Sequence, residues 1–421
     1  MSVTHRVIHI GDLHLGPNAR QADRLAALDL IIDIGIAQGD IALWAIPGDL
    51  FHSRSSIEDR NELAPRLQRM AHVAPVALVY GNHDAPGDLE LLARLKAPWP
   101  ITVASQSGVD YFVGGTGEVI AAAFIPYPSR AMLVAGGVDS AALEQTGSRM
   151  FETLVIGLAA SLEDIAGGVV EGEPYIPIVL GHFNVVGARA SSGQPQIGRE
   201  IEVSEAALQR FMPNAYVGLN HIHKHQPVGR AVFAGSGCRL DFGEVEPKGY
   251  VEVTYVKVAG SWCHTWQFVE LPVAPLWHVE GELTRDGFTF VCTTGVGGDV
   301  VDTPTTWKGS EVRVRYRFNK AEAGVIDEAH IHAEFAEAKA LKLDPVPVHE
   351  QRVRAPEVAA AVTLEDKVKA CCELQQIPFT SGMAAKLAAL QQQDPAVVLA
   401  GVSGASPTGT PVAATSTEVQ Q

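Results

Sequence analysis

Cysteine is scarce in this 421-residue chain: Cys238, Cys263, Cys292, Cys371 and Cys372 are scattered, odd in number, and form no CxxC pair. That excludes a zinc ribbon and argues against a disulfide scaffold. No apolar run is long enough to span a bilayer, so no membrane association is expected. The first residues, MSVTHRVIHIGDLH, lack the basic, apolar and small-residue succession of a signal peptide, and the simplest location is the cytoplasm. No GxxxxGKS or GxxxxGKT phosphate loop occurs, so any ATP-driven step would need another chain. The glycine-rich GGTG (114–117) and GVGGD (295–299) lack the context of a nucleotide fingerprint and read as hairpin turns. Basic residues are also in deficit, 32 against 48 acidic, for a formal net charge of −16. This weighs against a broad basic DNA-binding surface, although a metal pair or a partner subunit can supply positive charge locally.

What is present is a globular composition, 47% hydrophobic and 19% charged, in a chain long enough for two or three domains. Residues 5–11, 41–46 and 76–80 read as strands, with helices between them at 22–38 and 57–70, the second containing Pro65. Further strands are expected at 119–125, 176–180, 215–219, 231–234 and 250–258. The predicted fold is α/β: a two-sheet sandwich flanked by helices over residues 1–262. A small capping α+β domain is expected at 263–352, including a helix over 325–341 on which Ile331, Phe335, Ala338 and Leu341 share a face. A linker and two helices follow at 353–395. Thr363 opens a capping box with Asp366, Leu364, Val368 and Cys371 or Cys372 form one apolar stripe, and Met383, Leu387 and Leu390 form another. Residues 396–421 are small, polar and nearly uncharged, as in a disordered tail.

The chemistry lies at strand ends. "VIHIGDLHLG" places Asp12 and His14 after a strand, "ALWAIPGDLFH" places Asp49 and His52, and "VALVYGNHD" places Asn82, His83 and Asp84. "PIVLGHF" ends in His182, and "AYVGLNHIHKHQ" supplies His221 and His223. One such cluster is an ordinary turn; five are not, because ligands gather at the carboxyl ends of strands in such sheets. Asp12 and His14 are two apart, as are His221 and His223, so in extended chain each pair points one way. His330 and His332 share that spacing but fall within the predicted helix, where they diverge, and read as surface histidines. Imidazole and carboxylate donors without cysteine suit manganese, iron or zinc. Seven ligand candidates (Asp12, His14, Asp49, Asn82, His182, His221 and His223) are too many for one tetrahedral ion. Two metals sharing a carboxylate would use them all, as in phosphoryl chemistry.

This pattern of DxH, GDxx, GNHD, GH and GHxH resembles the calcineurin-type metallophosphoesterase superfamily. More narrowly, "GHFNVVGA" and "GSGCRLDFGE" resemble segments of the SbcD-type nucleases, and "FVELPVAPLWHVEGEL" more weakly resembles their connection into a capping domain. The resemblance covers residues 5 to about 260. It implies one metal, manganese above all, on Asp12, His14, Asp49 and His223, and another on Asp49, Asn82, His182 and His221. It further implies that His83 faces the scissile phosphate, that Asp84 orients His83, and that His52 has an accessory role. It also implies homodimerisation and an SbcC-like coiled-coil ATPase docked on the C-terminal helices. Two departures stand out. Asn220 replaces the usual glycine of GHxH, where asparagine's tolerance of left-handed backbone would preserve the turn, and Cys238 occupies a position where a small or polar residue is expected. Arg189, Arg199, Lys224, Arg230 and Arg239 lie near ligand motifs and are candidates for DNA-phosphate contacts, foremost Arg189, Lys224 and Arg239. The expected activity is a manganese-dependent DNA nuclease working on ends or hairpins. The alternatives are a small-molecule phosphodiesterase, which would need neither the extra domain nor the terminal helices, and a non-catalytic scaffold, which a missing ligand would have favoured.

Overall fold

Strand alternating with helix builds the first layer. β1 (His5–His9), α1 (Gln21–Gln38), β2 (Ile41–Pro47), α2 (Ile57–Ala71), β3 (Val76–Val79) and β4 (Ile101–Ala104) follow one another, and the four strands pair in parallel. The computed structural model describes residues 4–17, 20–128, 143–166, 169–170, 173–192, 194, 201–323, 327–348 and 356–391. β2 is buried over all seven residues, which explains its near-continuous apolar sequence. α2 starts at Ser56 with a full capping box to Asp59 and runs on through Pro65.

The second sheet contains β5 (Gly108–Val113), β6 (Val119–Ile125), β7 (Ile176–His182), β8 (Tyr216–Asn220), β9 (Gln226–Val228) and β10 (Ala231–Phe233), in the order β9-β10-β8-β7-β6-β5. The GGTG stretch is the hairpin turn between β5 and β6. β11 (Gly249–Val258) and β12 (Ser261–Glu270) then return to the first sheet, giving β12-β11-β1-β2-β3-β4. Val7, Leu43, Ala77 and Val79 of one sheet meet Ile120, Ile178, Leu180 and Tyr216 of the other in a shared core. α1 and α2 cover the first sheet, and α3 (Leu143–Ala166) covers the second. This is the expected sandwich.

A third sheet holds β13 (Leu276–Thr284), β14 (Gly287–Thr293), β15 (Glu311–Asn319) and β16 (Ala340–Val348). The boundary expected at 262 is corrected: it cuts the β11–β12 hairpin, whose ten-residue ladder keeps β12 in the first sheet. The helix expected over 325–341 is also shorter, α4 spanning only Ala329–Glu334. Ile331 and Phe335 are buried as their spacing requires, but Ala338 bridges to Lys308 and Lys339 N donates to Ser310 O at 2.8 Å. Those bonds draw the chain into the edge strand β16, so Leu341 belongs to strand rather than helix. His330 and His332 are exposed.

The described residues divide into two compact units: those up to Arg317 together with Asp327–Val346, and the remainder. Within the second, α5 (Leu364–Leu374) begins at Thr363, whose Oγ1 accepts from Asp366 N and donates to the Asp366 carboxylate, so only half of the expected box forms. α6 (Ser381–Gln391) buries no residue, and Cys372 rather than Cys371 is the buried cysteine of α5. The tail beyond 391 lies outside the described residues. No helix among the described residues is long and apolar enough to cross a membrane.

Candidate metal centre

The loops after β1, β2 and β3, the end of β7 and the loop after β8 lie at one edge of the sandwich. Backbone bonds tie the first two loops together: Leu13 N and His14 N both donate to Asp49 O, at 3.0 and 2.9 Å. His83 N donates to Asp49 Oδ1 at 2.9 Å, bringing in the third loop. The glycines of the motifs are required by this crowding. A Cβ on Gly48, itself at φ +105°, would lie 2.1 Å from His182 Nδ1, and one on Gly81 would lie 2.1 Å from Asp49 Oδ1. Of the six non-glycine residues with positive φ among the described residues, three are His14, Asp49 and His221, at 48°, 52° and 101°. Left-handed backbone of this kind costs on the order of 1–3 kcal/mol per residue and collects at functional sites. Asn220 is not among them. Its side chain instead accepts from His9 and donates to Ile10 O, so the left-handed turn expected at Asn220 falls on His221.

The seven ligand candidates converge. One donor atom each of Asp12, His14 and Asp49 lies within 4.8 Å of the others. His182 Nε2 is 3.2 Å from Asp49 Oδ2 and 3.0 Å from Asn82 Oδ1, and His221 Nδ1 is 3.0 Å from that same oxygen. His14 Nε2 is 3.2 Å from His223 Nε2. Second contacts fix the rings: His182 Nδ1 donates to Pro47 O at 2.9 Å, and His223 Nδ1 to Glu244 Oε1 at 2.9 Å. The Nε2 atoms of both rings are thereby turned toward the cluster. Asp12 Oδ2 and His14 Nδ1 are buried with no hydrogen-bond partner. Acceptor atoms facing one another in a buried space require positive charge between them. His182 registers that demand: burial opposes its protonation, yet the carboxylates of Asp49 and Asp12 push its pKa up to about 9. Burial raises Asp12; against burial, His182 holds Asp49 well below the usual carboxylate range. This donor set, hard oxygen with imidazole, fits divalent cations.

His83 and His52 flank the cluster. The His83 ring stacks on His52 at 5.4 Å, lies 4.7 Å from His14, and donates from Nδ1 to His52 O at 2.7 Å, leaving Nε2 for a ligand. The expectation that Asp84 orients His83 is corrected. Asp84 accepts from Phe51 N at 3.0 Å and Gly81 N at 2.9 Å, so it braces the loops, while the His52 carbonyl orients the ring. Burial, reinforced by Asp49, pushes Asp84 up to about 7.

The basic candidates separate. Arg189 is exposed and Lys224 half-buried beside His223. Arg239 is 6% exposed, donating to Glu244 O, Ala274 O and Glu311, so it ties the third sheet to the body and is withdrawn as a DNA contact. Arg230 likewise donates to the carbonyls of Phe211, Met212 and Ala215. Arg199 lies outside the described residues. Cys238 is buried, which pushes its thiol up to about 11. Three participants escaped the sequence reading. Glu244 orients His223; fully buried Lys248 pairs with Glu244 at 2.7 Å; Gln194 accepts from His223 N at 3.1 Å and donates to His221 O at 2.6 Å. Glu244 closes the GSGCRLDFGE segment, so its position was visible although its role was not.

Residues 5–224 match the calcineurin-like phosphoesterase family. The SbcD subunit of nuclease SbcCD from Bacillus subtilis (strain 168) is 27% identical over 314 residues, covering 63% of this chain and 69% of that protein. Its namesake from Escherichia coli (strain K12) is 24% identical over 327 residues, covering 73% and 78%. With its family match spanning half of its length and its acceptor cluster at the strand ends, the chain belongs to the calcineurin-like phosphoesterase family and is a hydrolase of phosphate esters.

Proposed function

We infer that this chain is a DNA nuclease of the SbcD kind, hydrolysing phosphodiesters at DNA ends or hairpins with two divalent cations, manganese foremost. The observation that carries the reading is the convergence of seven oxygen and imidazole donors, from five separate strand ends, on one buried cluster. Asp12, His14, Asp49 and His223 would hold one cation, and Asn82, His182, His221 and Asp49 the other. Such a pair activates water and stabilises charge developing on the attacking and leaving oxygens. His83, with Nδ1 committed to the His52 carbonyl, presents Nε2 to the scissile phosphate and can pass a proton to the leaving oxygen. Pro47 O and Glu244 keep His182 and His223 in their tautomers.

The names of the similar SbcCD nucleases support a DNA substrate and a coiled-coil ATPase partner in the cytoplasm. In the second unit, Leu364, Leu374, Ile377 and Leu390 are exposed, which supports α5 and α6 as that partner's docking helices. A homodimer completes the reading. The test is manganese-dependent degradation of an end-labelled linear duplex beside a closed circle and a chromogenic diester, with His83→Ala as control. Loss of the linear duplex in wild type alone supports a DNA-end nuclease. Turnover of the small ester with DNA left intact, even with the ATPase partner added, would sink it.

A further inference from the structure

A second concave feature adjoins the acceptor cluster: a cavity of about 820 Å³ whose wall includes Asn82 and Asp84. Tyr127 links the two, its ring 5.5 Å from that of His221 and 6.2 Å from that of His182. The far wall is apolar, formed by Met150, Phe151 and Leu154 of α3.

Charge decides what can enter. Among the described residues, no lysine or arginine lines the cavity. Its two acids are engaged, Asp84 by backbone N–H groups and Glu90 by the Tyr80 hydroxyl. A phosphate would meet carboxylates and no cation there. A flat, neutral group would meet the Tyr127 ring, the thioether of Met150, and Ser107 Oγ, which is buried without a hydrogen-bond partner. The volume falls within the roughly 300–1,000 Å³ typical of small-ligand pockets. A nucleobase has the size, the stacking face and the hydrogen-bonding edge that these groups match.

We propose that this cavity receives the nucleobase of the nucleotide whose phosphate lies at the acceptor cluster; the assignment rests on the phosphodiesterase reading above. A paired base must leave its partner to enter, so frayed or single-stranded ends are cleaved ahead of closed duplex.

The test compares the p-nitrophenyl ester of thymidine 5′-phosphate with methyl p-nitrophenyl phosphate, in manganese. Stacking predicts a kcat/KM at least about fivefold higher for the nucleoside ester in wild type. Tyr127→Leu and Met150→Trp, one removing the ring and the other filling the cavity, should bring that ratio toward one. Equal kcat/KM values in wild type, or an unchanged ratio in both variants, overturns the proposal while leaving a phosphodiesterase standing. If neither ester is hydrolysed, the phosphodiesterase reading falls, and saturation-transfer NMR with thymidine decides the cavity alone. Transfer to the base protons in wild type that is lost in Met150→Trp supports a nucleobase site; absence of transfer overturns it.

Discussion

Replacing Lys248 by methionine keeps most of the side chain's volume and removes its charge from a fully buried position. Its Nζ lies 2.7 Å from Glu244 Oε2, 3.0 Å from Glu246 Oε1, 3.0 Å from Ser236 Oγ and 3.2 Å from His223 O. Removing one member of a buried pair costs about 3–5 kcal/mol, chiefly because the other charge stays buried and uncompensated. Glu244 here keeps two donors, Leu240 N at 2.8 Å and His223 Nδ1 at 2.9 Å, so the low end applies, about 3 kcal/mol. In urea, with a slope of about 1–3 kcal/mol/M, the transition of the first unit should shift down by roughly 1 M or more. Near-ultraviolet circular dichroism reads that transition through the buried Trp44 and tyrosines. Adding Glu244→Gln removes the stranded charge while keeping an acceptor for His223, and should recover much of the loss. A single variant that melts with wild type, or a double variant less stable than the single, would refute this account.

Glu244→Ala removes the acceptor that fixes His223 and should weaken divalent-metal affinity about 10–100-fold by titration calorimetry; unchanged affinity means that Glu244 does not orient the ring. Gly48→Ala drives a Cβ into His182 from a left-handed backbone, so the protein should lose at least about 2 kcal/mol and any rise in melting temperature on adding manganese. His9 is buried, and its pKa is lowered by burial from 6.5 to about 3. Its contribution is complete above the unfolded pKa and lost as pH falls through the window down to about 3, because the unfolded chain takes up the proton first. Between pH 7 and pH 5 this amounts to about 2 kcal/mol, and His9→Gln should flatten that part of the urea-midpoint profile; equal slopes would refute it.

The strands and the positions of the seven donors were legible because both are local. An apolar run ended by glycine reads as a strand, and a polar cluster beyond it reads as a loop at the carboxyl edge. Contacts between distant segments were not legible. Arg239 reads as a free cation beside a ligand motif, but it is consumed by Glu311, 72 residues along the chain. Asp84 reads as the neighbour of His83, but the carbonyl that orients His83 comes from His52, 31 residues earlier. Asn220 reads as a backbone substitution for glycine, yet its amide bridges His9 and Ile10 at the end of a strand in the opposite sheet. The helix expected over 325–341 failed for the same reason: periodicity describes one segment, and pairing with Ser310 and Lys308 overrode it.

The same inward use of cations bears on how this acidic chain meets a polyanion. Its formal net charge is −16, and Arg24, Arg239 and Lys248 are buried while Arg230 serves three carbonyls. The surface is therefore poorer in positive charge than the composition alone implies. Affinity for nucleic acid through the phosphate backbone grows with the number of phosphates that lysine and arginine neutralise. This chain has few to offer, so on the proposed reading its attraction for a phosphate is concentrated where the acceptor cluster holds cations. Grip along the length of a duplex then falls to another chain. An unassisted chain of this kind would act on the one phosphate that reaches the cluster and release the rest, which suits an enzyme that works at ends and is carried along DNA by a partner.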